Sequence, residues 1–220
     1  EGLNFQDNTT YLLKRGTVLQ EELITELSNL ENTTFGAYGT GDLPRIETKV
    51  VRVTSCRNLV FRDLDILSDG KHVMEFRHEG KSHDVEINNC KIHSPPTWDP
   101  GDYNFGISAG VDGLRIIDSE IYSIYLDGLY FDHANDIVIE NSYIHDVNQA
   151  YHDNPDGAPG DGIQFNDTDS ILIKNTVIDR TNSGKKFCVI VINPSDDVDV
   201  QTVVMEDNTF IGPGIHDHGG

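Results

Sequence analysis

The chain has 220 residues, with 37 Asp and Glu against 16 Lys and Arg, which gives a formal net charge of -21. This charge disfavours nonspecific binding to nucleic acid or to anionic lipid, because both carry the same sign of charge as the protein. The sequence contains no apolar run of the roughly 18 residues that a membrane span needs. It begins at Glu1 without a charged and then apolar leader, so we expect a mature, secreted protein without a membrane partner.

The first 34 residues are predicted to form an N-terminal cap or a first coil. The stretch LQEELITELSNL, residues 19–30, fits either an amphipathic cap helix or the first strands, and both would cover an open end of the core. The glycine-rich stretch GAYGTGDLP follows at residues 36–44. It does not read as a phosphate-binding loop, because no helix with a Lys and a Ser or Thr comes after it.

An eight-residue block recurs six times along the rest of the chain. Its copies are LVFRDLDI from Leu59, VEINNCKI from Val85, LRIIDSEI from Leu114, IVIENSYI from Ile137, ILIKNTVI from Ile171 and VVMEDNTF from Val203. The third and eighth positions are always large and apolar, and the fifth is always Asp or Asn. The copies start 26, 29, 23, 34 and 32 residues apart, which is too irregular for a helical repeat but suits a solenoid with constant strands and variable turns.

The fifth position predicts a tight bend within each block. Asp and Asn tolerate a left-handed backbone, and stacked copies can hydrogen-bond to one another as a ladder. With this pattern the chain resembles the right-handed parallel β-helix proteins of the pectate-lyase-like superfamily. The predicted fold is therefore all-β, a single-domain solenoid over residues 1–220 with an Asx ladder, repeating coils over 35–210 and a C-terminal tail at 211–220.

A second predicted strand precedes most blocks, in the segments HVMEFRH, YNFGISAG, LDGLYFD, GDGIQFN and FCVIVIN. Period-two alternation places Met74, Phe76, Ile107, Leu129, Phe131, Ile163 and Phe165 inward. It places Glu75, Arg77, Ser108, Tyr130, Asp132, Gln164 and Asn166 outward. Long turns at 94–103 and 146–160 enter this strand and predict an open groove for a polymer, with Tyr122 and Tyr125 near its floor. The resemblance implies a catalytic cleft at the same location.

The groove collects groups that suit the cleavage of a uronate polymer by β-elimination. This reaction needs a base, a cation that neutralises the carboxylate, and an acid for the leaving oxygen. The catalytic candidates are Tyr130, Tyr151, His152, Lys185 and Lys186, and the substrate-binding candidates are Arg77, Asp132, His145, Gln164 and Asn166. Tyr130 is central, because a phenol among cations can have a lowered pKa. Arg180 and His78 are expected on the basic rim.

Three other functions remain open. A glycoside hydrolase would use carboxylates among Asp127, Asp132, Asp161 and Asp167, although Asp127 and Asp161 precede Gly in a repeated element that favours a structural turn. The segment YFDH at 130–133 loosely resembles an element of alginate C5-epimerases, but the family's His position is Ala134 here. A glycan-binding module without catalysis would use aromatic platforms such as Trp98, Tyr103 and Tyr151.

The sequence thus predicts a secreted polysaccharide lyase that resembles β-helix alginate lyases, with alginate favoured among uronate polymers. We expect a monomer with an anionic polysaccharide as its partner. No metal ligand is assigned and no cofactor is required, while acidic turns and the segment PSDDVDV at 194–200 could hold Ca²⁺. Cys56, Cys90 and Cys188 are expected to be core thiols, and His93, Tyr122, His145 and Asp179 to form a stack at one corner.

Overall fold

A computed structural model describes residues 4–20, 26–95, 104–147, 160–181, 188–193, 202–212 and 215–217. These residues form 24 strands and no helix. Accordingly, the described part of the chain has no helix of the length and apolarity that crossing a membrane requires.

The strands form three parallel sheets, and each coil of the chain adds one strand to each sheet. Sheet A contains β1 (Thr10–Lys14), β4 (Glu31–Tyr38), β7 (Arg57–Arg62), β10 (Ser82–Asn88), β13 (Val111–Ile117), β16 (Asn135–Glu140), β19 (Asp169–Lys174) and β22 (Val203–Glu206). Sheet B contains β2 (Val18–Gln20), β5 (Arg45–Thr48), β8 (Asp65–Ser68), β11 (Lys91–His93), β14 (Glu120–Tyr122), β17 (Tyr143–His145), β20 (Val177–Asp179) and β23 (Thr209–Ile211). Sheet C contains β3 (Glu26–Ser28), β6 (Val51–Thr54), β9 (His72–Phe76), β12 (Phe105–Ala109), β15 (Leu129–Asp132), β18 (Ile163–Asn166), β21 (Ile190–Asn193) and β24 (Ile215–Asp217). The predicted parallel β-helix is confirmed.

The eight-residue block is the bend from sheet A to sheet B in each coil. Its third positions pair in register from Phe61 to Met205, and its eighth positions pair in register from Ile66 to Phe210. All of these side chains are buried except those of the last coil, Met205 and Phe210, which are partly buried and pack against the same core. Stacking identical apolar positions coil on coil therefore gives one continuous hydrophobic core.

Aromatic rings continue this core toward the N-terminus. Tyr11 stacks on Phe35 and Phe35 stacks on Phe61, with ring centroids 5.3 and 5.6 Å apart. Phe5 contacts both Tyr11 and Phe35 edge-on, with centroids 5.0 Å away in each case. Offset and edge-on contacts of this kind are favourable for aromatic pairs. Phe5 therefore covers the core at the first coil.

The fifth position of each block has the left-handed backbone that the sequence predicts. The φ angles of Asp63, Asn89, Asp118, Asn141, Asn175 and Asp207 lie between 47° and 58°. From Asp63 to Asn175, each main-chain N–H donates to a carbonyl of the next coil. One side-chain contact of the predicted ladder is present between the first two of these residues, where Asn89 Nδ2 donates to Asp63 Oδ1 at 2.6 Å.

A second Asx column lies at the start of sheet A and was not predicted. Asn8, Asn32 and Asn58 all have left-handed backbones. Asn32 Nδ2 donates to Asn8 Oδ1 at 3.0 Å, and Asn58 Nδ2 donates to Asn32 Oδ1 at 2.8 Å. The coil therefore has left-handed bends on both sides of sheet A.

Small polar side chains line the core beside the fifth position. The main-chain N–H groups of Cys90, Ser119 and Ser142 donate to the hydroxyl oxygens of Ser119, Ser142 and Thr176, each one coil later. The column ends where the Thr176 N–H donates to Asn208 Oδ1 at 2.8 Å. Buried N–H groups need partners, and this column supplies them at the bend.

Two expectations about the ends of the chain are tested by the strands. Residues 19–20 lie in β2 and residues 26–28 lie in β3, so the described residues of the stretch 19–30 favour the first-strand alternative over a cap helix. The tail expected at 211–220 is wrong in part, because β24 (Ile215–Asp217) pairs with β21 in sheet C. Main-chain pairing with β21 extends sheet C by one strand.

The cysteines are free thiols, as expected, but they differ in burial. Cys56 and Cys90 are buried, and burial raises the pKa of Cys90 to about 12. Cys188 is partly exposed, so the expectation of a core thiol is wrong for this residue.

Candidate functional site

The outward face of sheet C carries the polar column that the alternation predicts. All seven residues expected inward are buried, and the seven expected outward are exposed or partly exposed. Glu75, Ser108, Tyr130 and Gln164 stand side by side on β9, β12, β15 and β18. One side of the coil therefore presents a continuous row of hydrogen-bonding and ionisable groups.

A cavity of about 450 Å³ opens on this face. It is lined by Glu75, Phe76, Arg77, His78, Glu79, Ser108, Ala109, Gly110, Tyr130 and Asp132. Gly110 is required at its floor, because a Cβ there would lie 2.9 Å from the Cα of His78 and 3.1 Å from the carbonyl oxygen of Asp132. We call it the sheet C cavity. It brings together three of the sequence candidates, namely Arg77, Tyr130 and Asp132.

An amide network holds the phenol of Tyr130. Its hydroxyl oxygen accepts a hydrogen bond from Asn166 Nδ2 at 2.8 Å. Asn166 Oδ1 in turn accepts from Gln164 Nε2 at 3.1 Å and from Asn193 Nδ2 at 2.8 Å, which fixes the orientation of the Asn166 amide. Since the phenol oxygen accepts from Asn166, its own proton is directed to another acceptor. The arrangement presents Tyr130 as a proton donor.

The expectation of a lowered pKa for Tyr130 is wrong. Burial raises the pKa of Tyr130, and the negative charge of Asp132 raises it further. The expectation rested on the basic residues of the surrounding loops, whereas the charged groups that act on the phenol in the described structure are carboxylates. Tyr130 is therefore protonated at neutral pH, which suits an acid rather than a base.

Arg77 is the exposed cation of the sheet C cavity. Its side chain is 45% exposed, and its Nε lies 3.8 Å from Glu75 Oε1. Glu75 makes a closer ion pair with Arg52, whose Nε lies 2.6 Å from Oε2. Because Glu75 is paired more closely with Arg52 than with Arg77, the guanidinium of Arg77 can contact an incoming carboxylate.

A mixed group of imidazoles and carboxylates borders the same cavity. His133 Nδ1 lies 3.0 Å from Asp132 Oδ1, and Nε2 lies 3.7 Å from Asp167 Oδ2. The ring of His78 is 4.9 Å from that of His133. One ligand atom from each of Asp132, His133 and Asp167 lies within 4.8 Å of the others, so these three could hold a metal ion. An imidazole in the set fits a transition metal better than Ca²⁺, which prefers oxygen ligands. This grouping is not evident from the sequence, because the three residues lie on two coils.

Two of the four carboxylates of the hydrolase alternative, those of Asp127 and Asp161, are structural. Asp127 and Asp161 are only 3% and 7% exposed. The Asp127 carboxylate accepts from the Asp161 N–H at 2.5 Å, and the Asp161 carboxylate accepts from the Cys188 N–H at 2.7 Å. Burial raises the pKa of Asp127 to about 8. The interpretation of these residues as a structural turn is confirmed.

Arg180 does not lie on the groove rim. It is 2% exposed, and its Nη1 donates to the Cys188 carbonyl oxygen at 2.6 Å. Burial lowers its pKa, although Asp161 opposes this effect. Its expected exposure was wrong because Arg180 turns into the coil beside the buried aspartates.

His145 lies on sheet B and does not line the sheet C cavity. Its ring stacks on Tyr122, which stacks on His93, with centroids 5.4 and 4.5 Å apart. Its two ring nitrogens contact Asp146 Oδ2 at 2.8 Å and Glu120 Oε1 at 3.1 Å. The predicted corner stack is confirmed for these three rings. The prediction that His145 lies in the groove is wrong, because His145 is on sheet B.

Of the remaining sequence candidates, two are placed by the structure and the others lie outside the described residues. Tyr125 is buried, so it does not form a groove floor, and Tyr122 belongs to the stack on sheet B. Other candidates lie outside the described residues, namely Tyr151, His152, Lys185, Lys186, Trp98, Tyr103 and the acidic segment 194–200. Asn193 and Gly110 were missed, since Asn193 acts through Asn166 and does not line the cavity, and a glycine has no side chain to indicate a role.

Comparison with known proteins agrees with this architecture. Residues 49–220 match the family model described as a right-handed beta helix region. The structure is similar to that of pectate lyase Pel9A, with a TM-score of 0.55 and 13% identity, covering 95% of this chain and 68% of that one. It is also similar to the GH136 lacto-N-biosidase from Eubacterium ramulus, with a TM-score of 0.53 and 13% identity, covering 96% of this chain and 63% of that one. No curated protein sequence matches. At these identities the likeness concerns the fold.

Proposed function

Since this chain belongs to the right-handed β-helix family, we propose that it is a secreted, monomeric polysaccharide lyase that cleaves a uronate polymer, with alginate favoured, by β-elimination. The observation that carries the proposal is the sheet C cavity, which combines an oriented phenol, an exposed guanidinium and an imidazole. Two similar solved structures are those of a pectate lyase and a lacto-N-biosidase, so this fold occurs in proteins that act on sugars.

The residues of the cavity match the three tasks of the reaction. Arg77 contacts the uronate carboxylate and stabilises the charge that develops when the C5 proton leaves. His78 accepts that proton as the base. Tyr130 donates its proton to the C4 oxygen as the glycosidic bond breaks and the C4–C5 double bond forms. The raised pKa of Tyr130 is consistent with this acid role.

Other outward groups of sheet C are placed to bind the sugar ring. Gln164 and Asn166 carry amides beside the phenol, and Asp132 adds a carboxylate at the cavity edge. Such groups can hydrogen-bond sugar hydroxyls. Tyr151, His152, Lys185 and Lys186 remain sequence candidates for the same cleft.

The test is incubation of the protein with alginate, pectate and glycosaminoglycans, with ultraviolet absorbance of the unsaturated uronate product as the readout. Alginate is expected to give the strongest signal. New reducing ends without that absorbance would indicate a hydrolase, and a changed uronate ratio without cleavage an epimerase. Binding without either change would indicate a glycan-binding module. Each of these three results contradicts the lyase proposal.

A further inference from the structure

A second cavity, of about 520 Å³, opens at the corner between sheets A and B in the first coils. It is lined by Arg15, Gly16, Thr17, Val18, Gly41, Asp42, Leu43, Arg45, Asp65 and Lys91. It shares no lining residue with the sheet C cavity. We call it the corner cavity. Its size falls in the range of small-ligand sites.

The corner cavity exists because the first two bends from sheet A to sheet B are unusual. The six later bends in the described chain each have two residues between strands, as at 63–64 between β7 and β8. The first bend has three residues, 15–17, and the second has six, 39–44. Gly16 and Gly41 have φ angles of 77° and 117°, and a Cβ at either would meet no atom within 4 Å. The longer bends therefore leave open space where later coils are closed.

Three cations surround this space in a protein of net charge -21. Arg15 Nη2 lies 2.9 Å from Asp63 Oδ1, Arg45 Nε lies 2.9 Å from Asp65 Oδ2, and Lys91 Nζ lies 3.3 Å from Glu120 Oε2. These ion pairs anchor the three side chains. Lysine and arginine held in this way are positioned before a ligand arrives, which lowers the entropic cost of binding.

Arg45 is the best positioned of the three. Burial alone would raise the pKa of Asp65, but hydrogen bonds from His93 and Arg45 lower it overall, so Asp65 is ionised. His93 Nε2 occupies Oδ1 of that carboxylate at 2.8 Å and Arg45 Nε occupies Oδ2. Within the described residues the two terminal nitrogens of Arg45 make no hydrogen bond. They form a pair of donors of the kind that binds an oxyanion.

The rest of the lining suits a sugar rather than a bare inorganic ion. Val18 is 57% exposed and gives an apolar surface against which the C–H face of a ring can pack. Thr17 and Asp42 are exposed beside it and can bind hydroxyl groups. The corner cavity therefore combines donors for an oxyanion, acceptors for hydroxyls and an apolar surface.

We propose that the corner cavity binds the oxyanion of an acidic sugar, either a uronate carboxylate or a sulfate ester, as a second, noncatalytic glycan site. The choice of a sugar rests in part on the proposed function, whereas the choice of an oxyanion rests on Arg15, Arg45 and Lys91. Because the two cavities lie on different sheets, a polymer can be held at the corner cavity without occupying the sheet C cavity.

The experiment is calorimetric titration of a Tyr130→Phe protein, in which the reaction is slowed, with three oligosaccharides: a uronate, a sulfated and a neutral one. The test variant adds Arg15→Gln and Arg45→Gln. The matched control adds Arg57→Gln and Arg115→Gln, which remove the same charge from exposed positions on sheet A. We expect one of two binding events to weaken at least tenfold in the test variant and to persist in the control. The acidic oligosaccharide that loses this event identifies the oxyanion.

A second variant guards against loss of folding. Arg45→Lys keeps a cation opposite Asp65 but removes the paired donors, so it is expected to weaken the same event while preserving the melting temperature. Equal binding by the test and control variants, or equal binding of the neutral oligosaccharide at this site, would overturn the proposal. The substitutions Arg15→Gln and Arg45→Gln are expected to leave the turnover of short substrates unchanged. Absence of lyase product with retained corner binding would refute the proposed reaction alone.

Discussion

The carboxylate of Asp127 accepts a 2.5 Å hydrogen bond from the main-chain N–H of Asp161, in the equivalent turn of the next coil. Each of these aspartates is followed by a glycine, and a Cβ on Gly128 would lie 2.7 Å from the carbonyl oxygen of Gly162. The two turns therefore stack at a separation that excludes side chains. This contact places a titratable group inside the coil.

Asp127 is expected to make stability fall as pH rises. Its folded pKa of about 8 exceeds the ordinary value of 3.8, so between these values the unfolded chain releases a proton that the folded protein retains. The free energy of unfolding should decrease from about pH 4 to about pH 8 by a few kcal/mol. Asp127→Asn retains a hydrogen-bond acceptor without an ionisation and should flatten this decline.

The measurement for Asp127 is urea unfolding at a series of pH values. Asp118→Asn is the control, because Asp118 is exposed and Asn tolerates its left-handed backbone. A profile of Asp127→Asn as steep as that of the parent protein would contradict the assignment of the buried proton.

Asn141→Leu should destabilise the bend in the fourth eight-residue block. Asn141 has a φ of 52°, and its N–H donates to the Lys174 carbonyl oxygen at 3.1 Å. A leucine in that conformation costs about 1 to 2 kcal/mol through its Cβ, whereas Asn141→Gly, which has no Cβ, should cost less. Denaturant midpoints of the two variants check this difference. If both variants unfolded at the parental midpoint, the left-handed bend would not contribute as described.

Tyr130→Phe should lower turnover of a uronate polymer by about a hundredfold, the usual range for losing a proton-transfer partner. The variant keeps the aromatic ring and loses the hydroxyl that Asn166 contacts. Its melting temperature should change little. Tyr143→Phe, on sheet B, is the matched control and should retain parental kcat. Full activity of Tyr130→Phe would move the acid to another residue.

Arg77→Gln should raise KM for a uronate polymer by about tenfold, which corresponds to about 1.4 kcal/mol of lost charge-assisted contact. Lys14→Gln removes the same charge from an exposed position on sheet A and should leave KM unchanged. Exposed charges more than about 10 Å apart are largely screened at 0.1 M salt, so only a cation of the cleft should matter. Steady-state kinetics at two salt concentrations test the prediction. An equal response of both variants would show that the contact is not local.

Much of the fold was predictable because the repeat exposes it. Apolar third and eighth positions fix the inward faces of two sheets, and Asp or Asn at the fifth fixes the bend. The second left-handed column escaped notice because its positions vary more, from Asn58 and Asp84 through Gly113 to Asp136 and Ser170. A backbone requirement that several residue types can meet leaves only a weak sequence signal.

The strand face on which the candidate site lies was predictable from the sequence. Alternation placed Tyr130, Arg77 and Asp132 outward on sheet C, which is correct. It did not show that burial and the nearby carboxylate of Asp132 raise the pKa of Tyr130, nor that Arg180 turns inward. His145 was misplaced because a residue near a long turn in sequence can still belong to the preceding sheet.

Connections between strands divide into two kinds. From β7 onward, each connection from sheet A to sheet B has two residues, whereas those from sheet B to sheet C range from two residues at 49–50 to 17 at 146–162. Insertions entering sheet C add surface without shifting the register of the core, because the Asx bend resets each coil. Exchange of a single turn can therefore change the surface beside sheet C and leave the core unaltered. A protein engineer could transplant turns between such coils in the same way.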